Sequence, residues 1–308
     1  MESNNYKLSV VICTYNRAGF IIDGLVALVK QTLNRALFEV LVINNNCTDN
    51  TETLCKNFAS DIPDFNYRYI VETRQGISYA RNRGVEEAKG EIIVFLDDDA
   101  VANSDYLEKM LTFFEQTPIA AGCGGRIYPR FETGRPRWMS HFLVALTSSI
   151  DLGNKTKVFT LRQFPVGANM AVRKKMFDKH GLFNPDLGRK GNSMDGAEEK
   201  DLFYRMMSAK EKIYYVADAI VYHYVPDKRF VFDFFKRQSI GIGKSEQIRS
   251  KNISNFEYIK SIIRESLKWG ASCVLFLFYL FTLRPVKAWR LLVFRWYVSK
   301  GLLFPAVV

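Results

Sequence analysis

Cysteine is scarce in this chain and badly placed for bridging. The five present, Cys13, Cys47, Cys55, Cys123 and Cys273, form no CxxC pair and are odd in number. That excludes a ready disulfide framework or zinc ribbon and suits a reducing compartment. The N-terminus, MESNNYKLSVVICTYNR, lacks a basic n-region, and its apolar run is only strand-length, so no secretory signal is read there. Long apolar runs are missing too. The uncharged stretch Trp269–Leu283 has 15 residues, where a membrane-crossing helix needs about 20. Low-complexity linkers and internal repeats are absent. What remains is ordinary folded material: 308 residues, 48% hydrophobic and 24% charged, with 24 Phe, 15 Tyr and 4 Trp. This excludes both a polytopic membrane protein and a disordered chain.

The net charge of +11 is unevenly distributed. Residues 226–308 hold 15 basic against 5 acidic side chains, whereas the first 225 are nearly balanced. A basic final quarter favours an anionic partner. Composition alone does not choose among lipid headgroups, nucleic acid and an acidic substrate, but the sequence around the charges does. Lys268, Trp269, Arg284, Lys287, Trp289, Arg290, Arg295 and Trp296 flank the apolar stretch, a pattern suited to a helix lying in a membrane interface.

From residue 7 to 100 the periodicity switches repeatedly between strand and helix. Strands are predicted at Leu8–Tyr15, Phe38–Ile43, Tyr67–Val71 and Ile92–Leu96. Between them, apolar residues recur at helical spacing, with Thr48-Asp49 placed to cap one helix, and Gly76 and Gly90 bracketing another. Such alternation predicts an α/β fold with a Rossmann-like, mostly parallel central sheet flanked by helices. The pattern is looser over residues 101–225. It predicts a helix at Asp105–Gln116, a glycine-rich strand in AAGCGGRIY, a strand running into a helix in PVGANMAVRKKMF, and a helix in AEEKDLFYRMM. Beyond residue 228 the chain reads as a helical extension.

Chemistry concentrates at the predicted carboxyl ends of the strands, where open α/β sheets bind ligands. Asp97-Asp98-Asp99 follows a buried strand, and three adjacent carboxylates call for a cation among them. Thr14-Tyr15-Asn16-Arg17, Asn44-Asn45-Asn46, Arg74 and Arg81 fall at the same edge. Aromatic, amide and guanidinium groups beside a metal-binding turn are what a nucleoside diphosphate needs.

Six strings, CTYNR, VINNNCTDNT, GISYARNRG, FLDDD, PVGANMAVRK and AEEKDLFYR, occur in this order over about residues 7–225. Together they resemble glycosyltransferase family 2, the inverting nucleotide-sugar transferases of GT-A fold. The resemblance implies that Thr14, Tyr15 and Arg17 border the nucleotide and that Arg81 meets its base or diphosphate. It makes Asp97–Asp99 the DxD-type motif, with Asp99 and Asp97 toward a Mn or Mg ion and Asp98 near the ribose. It makes Glu199 the catalytic base, with Glu198 as the rival, since Glu198-Glu199 stands where the family usually has Glu-Asp. Asn45 replaces an Asp that often accepts from a uracil ring, which leaves UDP- and dTDP-sugars both open. Asn169 is assigned to the sugar pocket, and His223 to the metal shell.

The family's processive QxxRW motif is replaced by RQSIGIGKS, so single-sugar addition is expected rather than polymer extrusion. The expected acceptor is a glycan or lipid-linked glycan in cell-surface polysaccharide assembly. The enzyme is placed on the cytoplasmic side, peripheral on the inner face of the cell membrane, with an anionic membrane surface and no nucleic acid as partner. The expected domains are a catalytic 1–225, with a nucleotide-sugar half to about residue 100 and an acceptor half to 225, and a basic helical 226–308. Two rivals stand beside this reading. A sugar nucleotidyltransferase would carry a glycine-rich phosphate loop after strand one, which CTYNRAGF is not. A non-enzymatic membrane or nucleic-acid binding module would explain the basic tail without any need for the acidic sites.

Overall fold

Residues 6–160, 163–191 and 193–304 are described by a computed structural model. The stretches read above as lacking a signal and as ending the helical extension include residues 1–5 and 305–308, which lie outside the description. Two compact units are present. The first runs to Pro129 and adds Ser148–Pro185 and Glu199–Tyr224; the second holds Arg130–Thr147, Asp186–Glu198 and the chain from Val225 onward.

In the first unit, four apolar, β-branched runs form parallel neighbours: β1 (Leu8–Thr14), β2 (Phe38–Asn44), β3 (Tyr67–Val71) and β4 (Ile92–Asp97). Their order is β3-β2-β1-β4, and each is joined to the next through α1 (Ile21–Val29), α2 (Thr51–Asp61) or α3 (Ile77–Glu87). Alternate side chains of each strand leave the sheet on opposite faces. Leu8, Val10, Ile12, Val40, Val42, Val94 and Leu96 join one core with Ile21, Leu25 and Phe58. Val11, Leu41, Ile43, Ile93 and Phe95 join another with Ala80, Phe177 and Phe203. Burial on both faces is why these runs read as continuously apolar.

Beyond β4 the sheet changes character. The chain adds β5 (Ala100–Ala102), α4 (Tyr106–Gln116), β6 (Ala120–Phe131), β7 (Lys157–Val158), β8 (Met170–Arg173), α5 (Lys175–His180), α6 (Glu198–Ser208) and β9 (Lys212–Val225). β8 runs antiparallel to both β4 and β6, and β9 antiparallel to β5 and β7. The parallel expectation therefore holds for the first half of the sheet, and the whole is a mixed sheet flanked by helices.

The second unit contains α7 (Phe232–Ile253), α8 (Asn255–Phe281) and α9 (Pro285–Leu303). Ser254 starts α8 by accepting from the Glu257 N–H at 3.1 Å, and Pro285 starts α9, where a missing N–H costs nothing. α7 and α9 approach each other through glycine. A β-carbon on Gly243 would lie 1.9 Å from the Val298 carbonyl, and one on Gly301 would lie 2.1 Å from that of Ile240. Among the described residues no helix is long and apolar enough to cross a membrane.

Candidate active site

The strand order places β2 on one side of β1 and β4 on the other, which makes the β1–β4 boundary a topological switch point. There the loop after β1 meets the loop after β4, with Cys13 in register with Asp97. Asn16 takes a positive φ of 54° and ties the β1 loop to the β2 loop, its side-chain Oδ1 accepting from the Thr48 N–H at 2.7 Å. Arg17, just beyond, reaches the acidic turn. Its Nε is 3.7 Å from Asp98 Oδ1, and its Nη2 is 3.8 Å from Asp99 Oδ2. Thr14 is buried at the end of β1 and Tyr15 half-buried after it.

Asp98 and Asp99 are both buried. Burial pushes the carboxyl of Asp98 up to about 7; Arg17 pulls against that shift and Asp99 adds to it. Burial likewise raises Asp97, against the pull of Arg81 and with a further push from Asp99. Burial also pushes the neighbouring Cys13 thiol up to about 12, so no thiolate competes here at neutral pH.

His223 arrives from the far half of the sheet. The pairing of β5 with β9 sets Ala100 opposite His223, and the imidazole Nε2 lies 3.0 Å from Asp99 Oδ1. One donor atom from each of Asp97, Asp99 and His223 falls within 4.8 Å of the others. Two carboxylates and an imidazole converging at a strand end are oxygen-rich donors of the kind that Mn²⁺ and Mg²⁺ accept. The residues present therefore fit a divalent cation.

Glu199 lies in the first turn of α6. Its Oε1 is 3.0 Å from Arg81 Nη2 and accepts from the Gly167 N–H at 3.0 Å. Arg81 is itself buried, lies over the Phe183 ring and is 3.7 Å from Asp97 Oδ1, so one guanidinium serves both acidic groups. Gly167 has no room for a side chain: a β-carbon would fall 1.9 Å from Arg81 Nη2 and 2.7 Å from Glu199 Oε1. Sequence reasoning quoted the GANM string around this glycine and passed over it. The signal available was a glycine just before a buried strand, a common mark of close approach. Glu198 is buried, and Ala197 before it holds a positive φ of 78°, unusual for a residue with a β-carbon.

Two of the expected site residues spend their side chains on the protein itself. Asn169 is the first. It is fully buried, its carbonyl accepting from the Tyr106 hydroxyl at 2.9 Å and its amide donating to the carbonyls of Arg126 and Ala219 at 3.1 and 3.0 Å. All its polar capacity goes to joining β8, β6 and β9. Asn45 has both amide hydrogens on the carbonyls of Glu72 and Arg74, at 3.2 and 2.7 Å, and its own carbonyl accepts from the Gly76 N–H at 2.7 Å. These contacts shape the loop entering α3. Gly76 turns there at φ 142°, open only to glycine.

A family model described as Glycosyl transferase family 2 matches residues 9–181. Among curated proteins, glucosyl-dolichyl phosphate glucuronosyltransferase of Haloferax volcanii is 27% identical over 245 residues, which is 79% of this chain and 77% of that protein. Succinoglycan biosynthesis protein ExoM of Rhizobium meliloti is 26% identical over 233 residues, 74% of this chain and 70% of the other. Among solved structures, a mannosyltransferase from Pyrobaculum calidifontis in complex with GDP-Man and Mn²⁺ superposes with a TM-score of 0.63 at 17% identity, over 97% of this chain and 88% of that chain. At that identity the likeness is one of fold.

Proposed function

The chain belongs to glycosyltransferase family 2, and from that premise we propose that it moves one sugar from a nucleoside-diphosphate sugar to an acceptor hydroxyl, with inversion at the anomeric carbon. One observation carries the reading: Arg81 joins the α6 carboxylate, Glu199, to the acidic turn after β4. A base and a diphosphate site held by the same cation are a short span apart, as a displacement requires.

In this reading Glu199 takes the acceptor proton at Oε2, while Oε1 stays fixed by Arg81 and the Gly167 N–H. Glu198 is the alternative base. Thr14, Tyr15 and Arg17 border the nucleotide, and Asp98 faces its ribose. Asp97, Asp99 and His223 would hold Mn²⁺ or Mg²⁺, which when bound would supply positive charge against that growing on the diphosphate. Uridine and thymidine donors are favoured. The mannosyltransferase with GDP-Man makes a guanosine donor the natural comparison. The acceptor proposed is a lipid-linked glycan in surface-polysaccharide assembly, in line with the dolichyl-phosphate and succinoglycan relatives. Residues 1–225 would carry catalysis, donor half first, and residues 226–308 would hold the enzyme peripherally against the cytoplasmic leaflet.

The test is a screen of UDP-, dTDP- and GDP-sugars for thermal stabilisation and slow donor hydrolysis, with Mn²⁺, with Mg²⁺ and with chelator. A ligand that binds only the folded state raises the melting point. If no nucleotide sugar does so with either metal, the reading fails.

A further inference from the structure

Helix α8 is built inside out. The residues it buries are Ser261, Glu265, Ser272 and Tyr279, most of them polar. Glu265 is held there by Arg295 of α9 at 2.9 Å, and Trp269 Nε1 donates to Ser299 at 2.8 Å, which fixes the rotation of α8 about its axis. The opposite face is apolar and exposed. Ile259, Ile263, Leu267, Val274, Phe278 and Phe281 follow one another at helical spacing, Leu267 at 71% and Phe281 at 86% exposure. The stripe is about 35 Å long at 1.5 Å per residue. A helix facing water carries the reverse pattern, and a monomer rarely leaves so long an apolar patch uncovered.

The charge beside this stripe identifies what covers it. From Ser266 to Val308 the sequence has no acidic residue and six basic ones. At the C-terminal end of the stripe, Arg135, Arg137, Arg284 and Lys287 surround a pocket of about 380 Å³ together with His141 and Tyr279. Arg135 donates to the Met139 carbonyl; Arg137, Arg284 and Lys287 have no ion pair among the described residues. Leu283, at 89% exposure, lies in the turn at that end, and the exposed indoles of Trp289 and Trp296 lie along α9. Cations without counter-ions at the end of an exposed apolar stripe match the headgroup layer of a bilayer. Two copies of this face brought together would set like charges against each other.

We propose that α8 and the turn into α9 seat on an anionic membrane, the apolar stripe entering the acyl layer and lipid phosphates entering the pocket of Arg135, Arg137, Arg284 and Lys287. This deepens the reading of a membrane-borne acceptor and rests on it only for its purpose, since the surface itself belongs to the second unit.

The experiment is flotation of the full chain with phosphatidylcholine vesicles, with and without phosphatidylglycerol. Wild type floats with the anionic vesicles. The variant Arg137→Ala/Arg284→Ala/Lys287→Ala binds them on the order of a hundredfold more weakly, at about 1 kcal/mol per cation. Leu267→Asp/Phe281→Asp loses flotation. All these positions are exposed or half-buried and remote in sequence from the acidic turn, so donor-induced stabilisation stays as in wild type and reports the fold. Equal binding to neutral and anionic vesicles overturns the phosphate pocket. No flotation, with a dimer by light scattering that Leu267→Asp/Phe281→Asp dissociates, overturns the membrane in favour of a second copy. Failure of every donor with flotation intact sinks the transfer reading alone.

Discussion

Arg81 Nη2 lies 3.0 Å from Glu199 Oε1, a contact between residues 118 positions apart. It fixes a carboxylate at the start of α6 against a helix that follows β3, and so couples the two halves of the sheet at the one edge where ligand would bind. Removing the guanidinium would leave both Glu199 and Asp97 short of a counter-charge.

For the base, Glu199→Gln is expected to keep donor affinity and to lower the transfer rate by about two to four orders of magnitude, the usual cost of losing a general base. Steady-state kinetics with a surrogate acceptor checks it. A silent Glu199→Gln beside a dead Glu198→Gln would move the base to the preceding residue.

Gly167→Ala introduces a methyl group 1.9 Å from Arg81 Nη2. The guanidinium and Glu199 must shift, and a displacement near 1 Å in a positioned group costs about a hundredfold in kcat. The measurement is kcat alongside the melting temperature, with the loss expected in kcat far more than in stability.

Asp99→Asn removes a carboxylate from the Asp97–Asp99–His223 group. Metal charge stabilisation is worth several kcal/mol, so transfer should fall by about a thousandfold, and excess Mn²⁺ should recover little of it. Titrating Mn²⁺ against donor binding checks this; unchanged turnover in chelator would dismiss the metal.

Asn169→Ala should act on stability. It strips partners from the Tyr106 hydroxyl and from the carbonyls of Arg126 and Ala219. At about 1–3 kcal/mol per unsatisfied buried group, a loss of roughly 3 kcal/mol or more is expected in urea denaturation. Lost donor binding at unchanged stability would instead place Asn169 at the sugar.

Ala197→Gly relieves a β-carbon from a positive φ and should stabilise the chain by about 1 kcal/mol. A looser approach to Glu198-Glu199 should at the same time reduce kcat. Thermal melts and initial rates on one preparation read both effects.

The parallel half of the fold was legible because β1, β2 and β4 are buried on both faces and a complete helix separates each strand from the next. Tyr67–Val71 was expected at the bounds found, and Ile92–Leu96 fell one residue short of its end. β5 and β7 were not legible. Three and two residues carry no periodicity, and both are strands only because β9, more than fifty residues later, pairs with them. The acidic turn could be read from its place after an apolar run. The hydrogen bonds of Asn169 and Asn45 were not legible, since an amide in a string says nothing about which carbonyls surround it. Helical spacing disclosed α8, but not which side faces inward. That depends on Glu265 meeting Arg295, a pairing no local pattern contains.

The glycine contact between α7 and α9 bears on how this protein can be cut for study. Gly243 touches the backbone of α9 and Gly301 that of α7, so each helix supplies the other's missing surface. A fragment ending before Pro285 would keep α7 but expose its bare glycine groove, together with Glu265 stripped of Arg295. Such a fragment would be expected to aggregate, whatever the state of its nucleotide site. Trimming the tail to obtain a tractable catalytic piece would therefore confuse a folding defect with a lost membrane anchor, and point substitutions on the outer side of α8 are the cleaner instrument.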